Sequence, residues 1–141
     1  MNREFLINIL TKQEVEGEKD EIEIITKATV EGEKDDYTIS YTEQEEDNSE
    51  SHTVLHVENG RCISVTREGA INTHMVVEKD VRHISHHITP YGAFSMGISA
   101  IYVDSDIDSD GGKLSFAYAT DIEMSPVGRI EFIINLTPVG V

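Results

Sequence analysis

The most chemically suggestive run in this chain is Asp106-Ile107-Asp108-Ser109-Asp110-Gly111, which matches the opening D-x-D-x-D-G of a calcium loop. Carboxylates at alternate positions can converge on a hard cation once the glycine permits a sharp bend. The ninth and twelfth positions are then Leu114 and Ala117, so the bidentate acid that closes such a loop is missing. Asp106, Asp108 and Asp110 are therefore a weak cation candidate, and an acidic turn between two strands is the expected reading. No other metal site is expected.

Six histidines raise a second possibility. His52 and His56 are four apart, as are His83 and His87, with His86 beside the latter. On a helix that spacing would present two imidazoles to one metal. On a strand it separates them by about 13 Å, because each residue advances about 3.3 Å. Exposed or lumen-lining histidines are the expectation. The single Cys62 excludes an internal disulfide framework and a multi-cysteine zinc motif, and is expected to pack as a small apolar residue in a reducing compartment. No serine sits in a G-x-S-x-G elbow, and no glycine-rich loop opens a helix to hold phosphate. Neither an enzyme nor a cofactor is expected.

The elements that must position these residues are strands. Leu114, Phe116, Tyr118, Ile122 and Met124 share one parity, against Lys113, Ser115, Asp121 and Glu123. Ile130, Phe132, Ile134 and Leu136 alternate with Arg129, Glu131 and Asn135. Ser125-Pro126-Val127-Gly128 between them predicts a turn. Weaker alternation marks Phe5–Ile9, Ile22–Val30, Tyr37–Tyr41, Thr53–Val57, Ile63–Val65, Ile71–Val77 and Phe94–Tyr102, and Val81–Thr89 reads as extended. Asn59-Gly60 is a strong hairpin signal. The hexapeptide Val-Glu-Gly-Glu-Lys-Asp occurs at 15–20 and 30–35, and reads as two similar hairpin turns with Gly17 and Gly32 at positive φ. Glu43–Glu50 reads as an acidic loop. No segment keeps a helical period for three turns. Eight to ten sequential strands with short turns predict an all-β fold, a closed antiparallel up-and-down barrel formed by one domain over residues 1–141.

From about Val54 to Thr137 the chain resembles the YwiB-like family of small uncharacterised bacterial proteins. The resemblance rests on the order of the Asn59-Gly60 hairpin, Thr66-Arg67-Glu68-Gly69, Thr89-Pro90-Tyr91-Gly92, Asp110-Gly111-Gly112-Lys113-Leu114 and the final hairpin. It implies a calycin-like, lipocalin-related barrel, and no catalytic residues to carry over. Glu43–Glu50 and the His-rich Arg82–His87 are not matched by it.

Charge limits the partners. With 27 acidic and 11 basic side chains the formal charge is −16, and the imbalance concentrates in the first 58 residues. Such a surface repels phosphate backbones and anionic membranes, so neither nucleic acid nor membrane is an expected partner. The N-terminal apolar patch is too short and polar for a signal peptide, and a cytoplasmic location is expected.

Two functions fit. The first is a barrel holding a small apolar or amphipathic molecule, with Arg67, Tyr91, Phe116 and Tyr118 as its lining. Arginine could clamp a carboxylate and tyrosine supply a ring with a polar tip. The alternative for these residues is that Tyr118 packs in the core and Arg67 is solvated at a strand end. The second function is a structural or interaction module whose acidic face docks a basic protein.

Overall fold

The structure is a computed structural model that describes residues 2–44 and 48–139. Ten antiparallel strands follow one another around a closed barrel: β1 (Asn2–Val15), β2 (Glu18–Glu33), β3 (Asp36–Gln44), β4 (Glu50–Glu58), β5 (Cys62–Glu68), β6 (Asn72–Glu78), β7 (Arg82–Thr89), β8 (Gly92–Asp108), β9 (Gly111–Ile122) and β10 (Ser125–Pro138). Each strand pairs with its sequence neighbours, and β1 closes the ring on β10 through Phe5↔Pro138 to Val15↔Gly128. The up-and-down barrel expected from the alternation is the observed fold.

Tight turns connect the strands. Asn59 and Gly60 both take positive φ, as a two-residue hairpin turn requires, and the Arg61 amide donates to the Glu58 carbonyl. The last hairpin departs from the sequence expectation. It turns at Glu123-Met124, both left-handed, while Pro126 and Gly128 flank a bulge inside β10. The Asp121 carboxylate accepts the Met124 amide at 3.1 Å and supports this turn. Gly128 serves packing instead, since a Cβ there would stand 2.6 Å from the Glu14 carbonyl on β1. Ile122 and Met124 consequently leave the core, at 48% and 71% exposed.

The duplicated hexapeptide does not make two equivalent turns. The first copy turns at Glu16-Gly17; the second runs on in β2, with Gly32 opposite Tyr37, and turns only at Lys34-Asp35. Of the expected acidic loop, Glu43 and Gln44 belong to β3 and Glu50 to β4, while Glu45–Asp47 lie outside the described residues. A register shift between Ala100 and Tyr102 in β8 inverts the parity. Val103 thereby reaches the core, and Tyr102 turns outward across β9 to hydrogen-bond Glu131 on β10.

The two ends of the barrel differ. One carries the start of β1, the end of β10 and the turns at 34–35, 59–60, 79–80 and 109–110. Hydrogen bonds tie these turns together: Gly60 amide to Asp35 carbonyl, Lys79 amide to Arg61 carbonyl, and the Arg3 guanidinium to the Ser109 carbonyl. Inside it Phe5, Ile7, Val30, Tyr37, Ile39, Val57, Ile63, Val77, Ile107 and Leu114 are all within 1% of complete burial. The Tyr37 hydroxyl crosses the lumen to Ser105 at 2.8 Å. At the opposite end, here the mouth, inward positions become polar. β4 reads Val57, Leu55, Thr53, Ser51 toward the mouth; β5 reads Ile63, Val65, Arg67; β6 reads Val77, Met75, Thr73. One end is plugged and the other is hollowed.

Candidate binding lumen

The hollow follows from that gradient. Above the aliphatic plug, a cavity of about 220 Å³ is lined by Tyr41, Thr53, Leu55, Val65, Arg67, Thr73, Met75, His87, Phe116, Tyr118, Phe132 and Ile134. A second cavity of about 230 Å³, toward β1 and β10, shares Met75, His87 and Tyr118 with the first and adds Met96, Ile98, Thr120 and Arg129. Seven strands, β3 to β7 with β9 and β10, contribute to the first cavity, each through side chains of the inward parity.

Its apolar wall is aromatic. Phe116 stacks on Phe132 at 5.1 Å between ring centroids, and Tyr118 lies 6.4 Å from Phe116 and 6.3 Å from Phe132. These offset pairs fix the rings as a surface rather than leaving them free to fill the space. Tyr118 is 4% exposed, and burial alone raises its pKa, neither a charge nor a hydrogen bond contributing. Its hydroxyl is thus kept protonated beside the cavity.

The polar side gathers at the mouth. Arg67 donates to the Ser51 hydroxyl at 3.5 Å, on the opposing strand. Tyr41 is pushed up to about 12, first by burial and then by the Glu43 carboxylate, with the Thr53 hydrogen bond and the Arg67 charge opposing. It too stays a neutral donor. His87 forms the third corner, stacked on Phe94 at 4.8 Å. The buried Ser85 hydroxyl donates to the Met96 carbonyl at 3.2 Å, so Nε2–H of His87 donates to Ser85 Oγ at 2.9 Å. Nδ1 is then the acceptor for the Thr73 hydroxyl at 3.3 Å. Burial, and next the neighbouring His86, lower the His87 pKa and favour this neutral tautomer.

Of the residues expected to line a ligand site, the structure brings Arg67, Phe116 and Tyr118 to one cavity and leaves Tyr91 out. Tyr91 sits at the β7–β8 turn, fully exposed, because Pro90 and Tyr91 are the two turn residues and point away from the wall. His87 is one of the histidines expected to be exposed or lumen-lining; Tyr41, Thr53, Thr73, Met75 and Phe132 are additions to the expected lining, although the matching triplets Thr53-Leu55-Val57 and Thr73-Met75-Val77 carry the signal of a polar mouth over an apolar plug.

The histidines have a different arrangement from a metal centre. Five of them face a hydroxyl directly opposite on the next strand: His87 with Thr73 as above, His56 with Thr38 (2.8 Å), His52 with Thr42 (2.9 Å), His74 with Thr66 (3.3 Å) and His86 with Ser95 (3.2 Å). They are cross-strand pairs. Asp106 lies opposite Lys113, and Asp108 accepts the Asp110 amide at 2.8 Å within the β8–β9 turn. Among the described residues no group of three or more histidines, cysteines or carboxylates is placed to hold a metal ion. Cys62 is half-buried, its thiol pushed up by burial and by Glu78 and Glu58, which disfavours the nucleophilic thiolate. An outer groove of about 290 Å³ beside the β1–β2 hairpin mixes Lys12, Lys19 and Arg129 with Glu14, Asp20, Glu21 and Glu131, and its opposed charges face one another across strands.

Residues 7–134 match the family described as a domain of unknown function, DUF1934. The chain belongs to this family. Among solved structures it is similar to the ywiB protein from Bacillus subtilis, with a TM-score of 0.79 at 18% identity, covering 96% of this chain and 92% of that one. That likeness concerns the fold, and it agrees with the YwiB-like barrel expected from the motifs. A search of curated protein sequences found no match. Among the described residues no helix is long and apolar enough to cross a membrane.

Proposed function

We propose that this member of the DUF1934 family is a cytoplasmic, calycin-like binding barrel that holds one small, partly apolar molecule in its lumen. The observation that carries the reading is the pair of adjoining cavities that share Met75, His87 and Tyr118, walled by stacked aromatic rings and edged by Arg67, Tyr41 and Thr53. Ten strands support it, because barrel diameter grows with strand number and eight already enclose a single small ligand. Each cavity is smaller than the roughly 300 Å³ at which sites for drug-sized ligands begin, so the ligand is a compact one. The test is fluorescence titration with 2-naphthylmethanol, whose signal is clear in a protein without tryptophan. Native protein is expected to bind it, and Val65→Phe, which places a ring inside the first cavity, to bind at least tenfold more weakly. Equal binding by both proteins, or none by native protein, overturns the reading.

A specific feature favours the second reading, an acidic surface for a basic partner. Residues 18–27 of β2 pair only with β1 among the described residues, because β3 meets β2 only from Ala28 to Glu33. This free edge carries Asp20, Glu21 and Glu23, with Ile22 and Ile25 57% and 59% exposed. An extended segment alternating basic and apolar residues could add to it as an eleventh strand. A lysine/valine-alternating peptide that protects the amides of residues 18–27 from hydrogen exchange would support this; unchanged exchange would refute it.

A further inference from the structure

One buried hydroxyl in the lumen has nothing in the protein to bond. The other polar side chains lining the two cavities are bonded within the protein or face water. His87 is held at both ring nitrogens, by Ser85 and by Thr73. Thr120 donates to the Gly128 carbonyl, Tyr41 bonds Thr53, and Arg67 bonds Ser51. Gln13 and Arg129 are exposed at the rim of the second cavity, where water reaches them. Tyr118 differs from all of these. It is 4% exposed and common to both cavities, yet its hydroxyl has no hydrogen-bond partner among the described residues. No side-chain polar atom among those residues is both sealed off and unpartnered, so the Tyr118 oxygen opens onto the cavity rather than lying against packed carbon.

Leaving a buried donor unpaired costs stability, and folded proteins do so at few positions. β9 fixes where this one stands. Tyr118 faces inward between Ile130 on β10 and Ala100 on β8, its ring 6.4 Å from Phe116 and 6.3 Å from Phe132. No charged side chain acts on the phenol. A charged ligand group beside it would therefore be buried without a counter-charge, whereas a neutral acceptor gains a bond there. A phenol suits an acceptor because its O–H is a good donor, while the ring draws on the oxygen lone pairs. We infer that Tyr118 is the recognition group of the lumen, and that the ligand is a compact neutral molecule with a carbonyl or like acceptor. Its acceptor takes the Tyr118 hydroxyl, and its body lies against Phe116 and Phe132. This rests on the lumen-binding reading and names the ligand class for the same site.

Two isosteric probes test this on the full chain by equilibrium dialysis. One is 2-acetylnaphthalene, which carries the acceptor; the other is 2-isopropenylnaphthalene, in which a methylene replaces the oxygen. Tyr118→Phe is expected to weaken the ketone about tenfold, the scale on which an unpaired buried acceptor is felt, and to change the alkene less than threefold. With no protein bond to lose, unliganded Tyr118→Phe is expected to resist urea at least as well as native protein. An equal effect on both probes, a lower urea midpoint for the variant, or binding of the alkene alone overturns the inference and leaves the lumen reading standing. Failure of both probes to bind native protein overturns the lumen reading and this inference together. The infrared carbonyl stretch of the bound ketone requires no variant. On native protein its band is expected below the position found in hexane, and a band at that position overturns the inference.

Discussion

Whether the mouth half of the lumen is open can be tested on one strand. Val65 and Ile63 both point inward from β5, two residues apart; Ile63 is fully buried in the plug, and Val65 lines the cavity of about 220 Å³. Val65→Phe adds four carbons. At about 0.8 kcal/mol for each methylene-sized group buried, the upper bound of the gain is ~3 kcal/mol. Ordering the ring, and the share of it still reached by water, reduce the expected gain to about 1 kcal/mol. Ile63→Phe has no space to enter and should cost about 1–3 kcal/mol, as overpacking of a dense core does. The two substitutions on one strand are thus expected to differ by at least ~2 kcal/mol with opposite signs. Urea denaturation followed by far-UV circular dichroism measures both, with unchanged m-values as the check that the denatured state is the same. If Val65→Phe destabilises as much as Ile63→Phe, the lumen is closed in solution and the binding proposal loses its foundation.

Titration offers further expectations. Tyr37, Tyr41 and Tyr102 are each raised to about 12, chiefly by burial, and Tyr118 is raised by burial too. An unfolded chain releases these protons near pH 10, so above that point the unfolded state binds fewer protons and stability falls between about pH 10 and 12. In a Tyr91→Phe variant, which removes the one fully exposed phenol, absorbance at ~295 nm should show tyrosinate appearing together with loss of the barrel dichroism; phenol ionisation in that variant well before unfolding would contradict it. His87 has a lowered pKa from burial and His86. Its unfolded form takes up a proton first as pH drops through about 6.5, so stability is lost below that value, and His87→Gln should flatten the decline. A pH-stability curve identical to native would contradict it. Gly97 lies beneath the Arg82–Asp121 pair, whose contacts are 3.0 and 2.6 Å, and a Cβ there would collide with both partners. Gly97→Ala should raise the Asp121 pKa, which the Arg82 hydrogen bonds hold down, and should cost less stability in an Arg82→Ala background; additive effects would show that the pair does not depend on this glycine.

Strand parity made much of this barrel legible. Leu114, Phe116 and Tyr118 face inward as their alternation requires, and Asn59-Gly60 turns where the dipeptide demands it. What sequence did not disclose was set by contacts between strands. The shift at Ile101 reverses parity in mid-strand, so Tyr102 shares the spacing of Ile98 and Ala100 yet points out to Glu131. Pro126 and Gly128 have the composition of a turn, but the Asp121 carboxylate stabilises a turn three residues earlier, and Gly128 answers to Glu14 on another strand. The lumen was only partly visible for the same reason. Arg67 and Tyr118 could be named as polar-tipped residues on strands, whereas Thr53, Thr73 and His87 gain meaning only when closure brings β4, β6 and β7 around one space.

Closure by ten strands also explains why stability and binding can reside at different ends of one wall. A ring this wide leaves more interior than alternating aliphatic residues fill unaided. Toward the termini the gap is filled by two fully buried aromatic side chains, Phe5 and Tyr37, among the aliphatic ones, and Tyr37 spans from β3 to Ser105 on β8. That plug, sealed below by the hydrogen bonds among the turns, holds the strands at a fixed spacing. The same spacing then persists toward the mouth, where Thr53 and Thr73 are too short to meet across it. Threonine hydroxyls there can bond the protein or a ligand, and the plug keeps that space from collapsing when it is empty. Substitutions at the mouth should accordingly alter what enters the barrel with little effect on its stability, and substitutions in the plug should do the reverse.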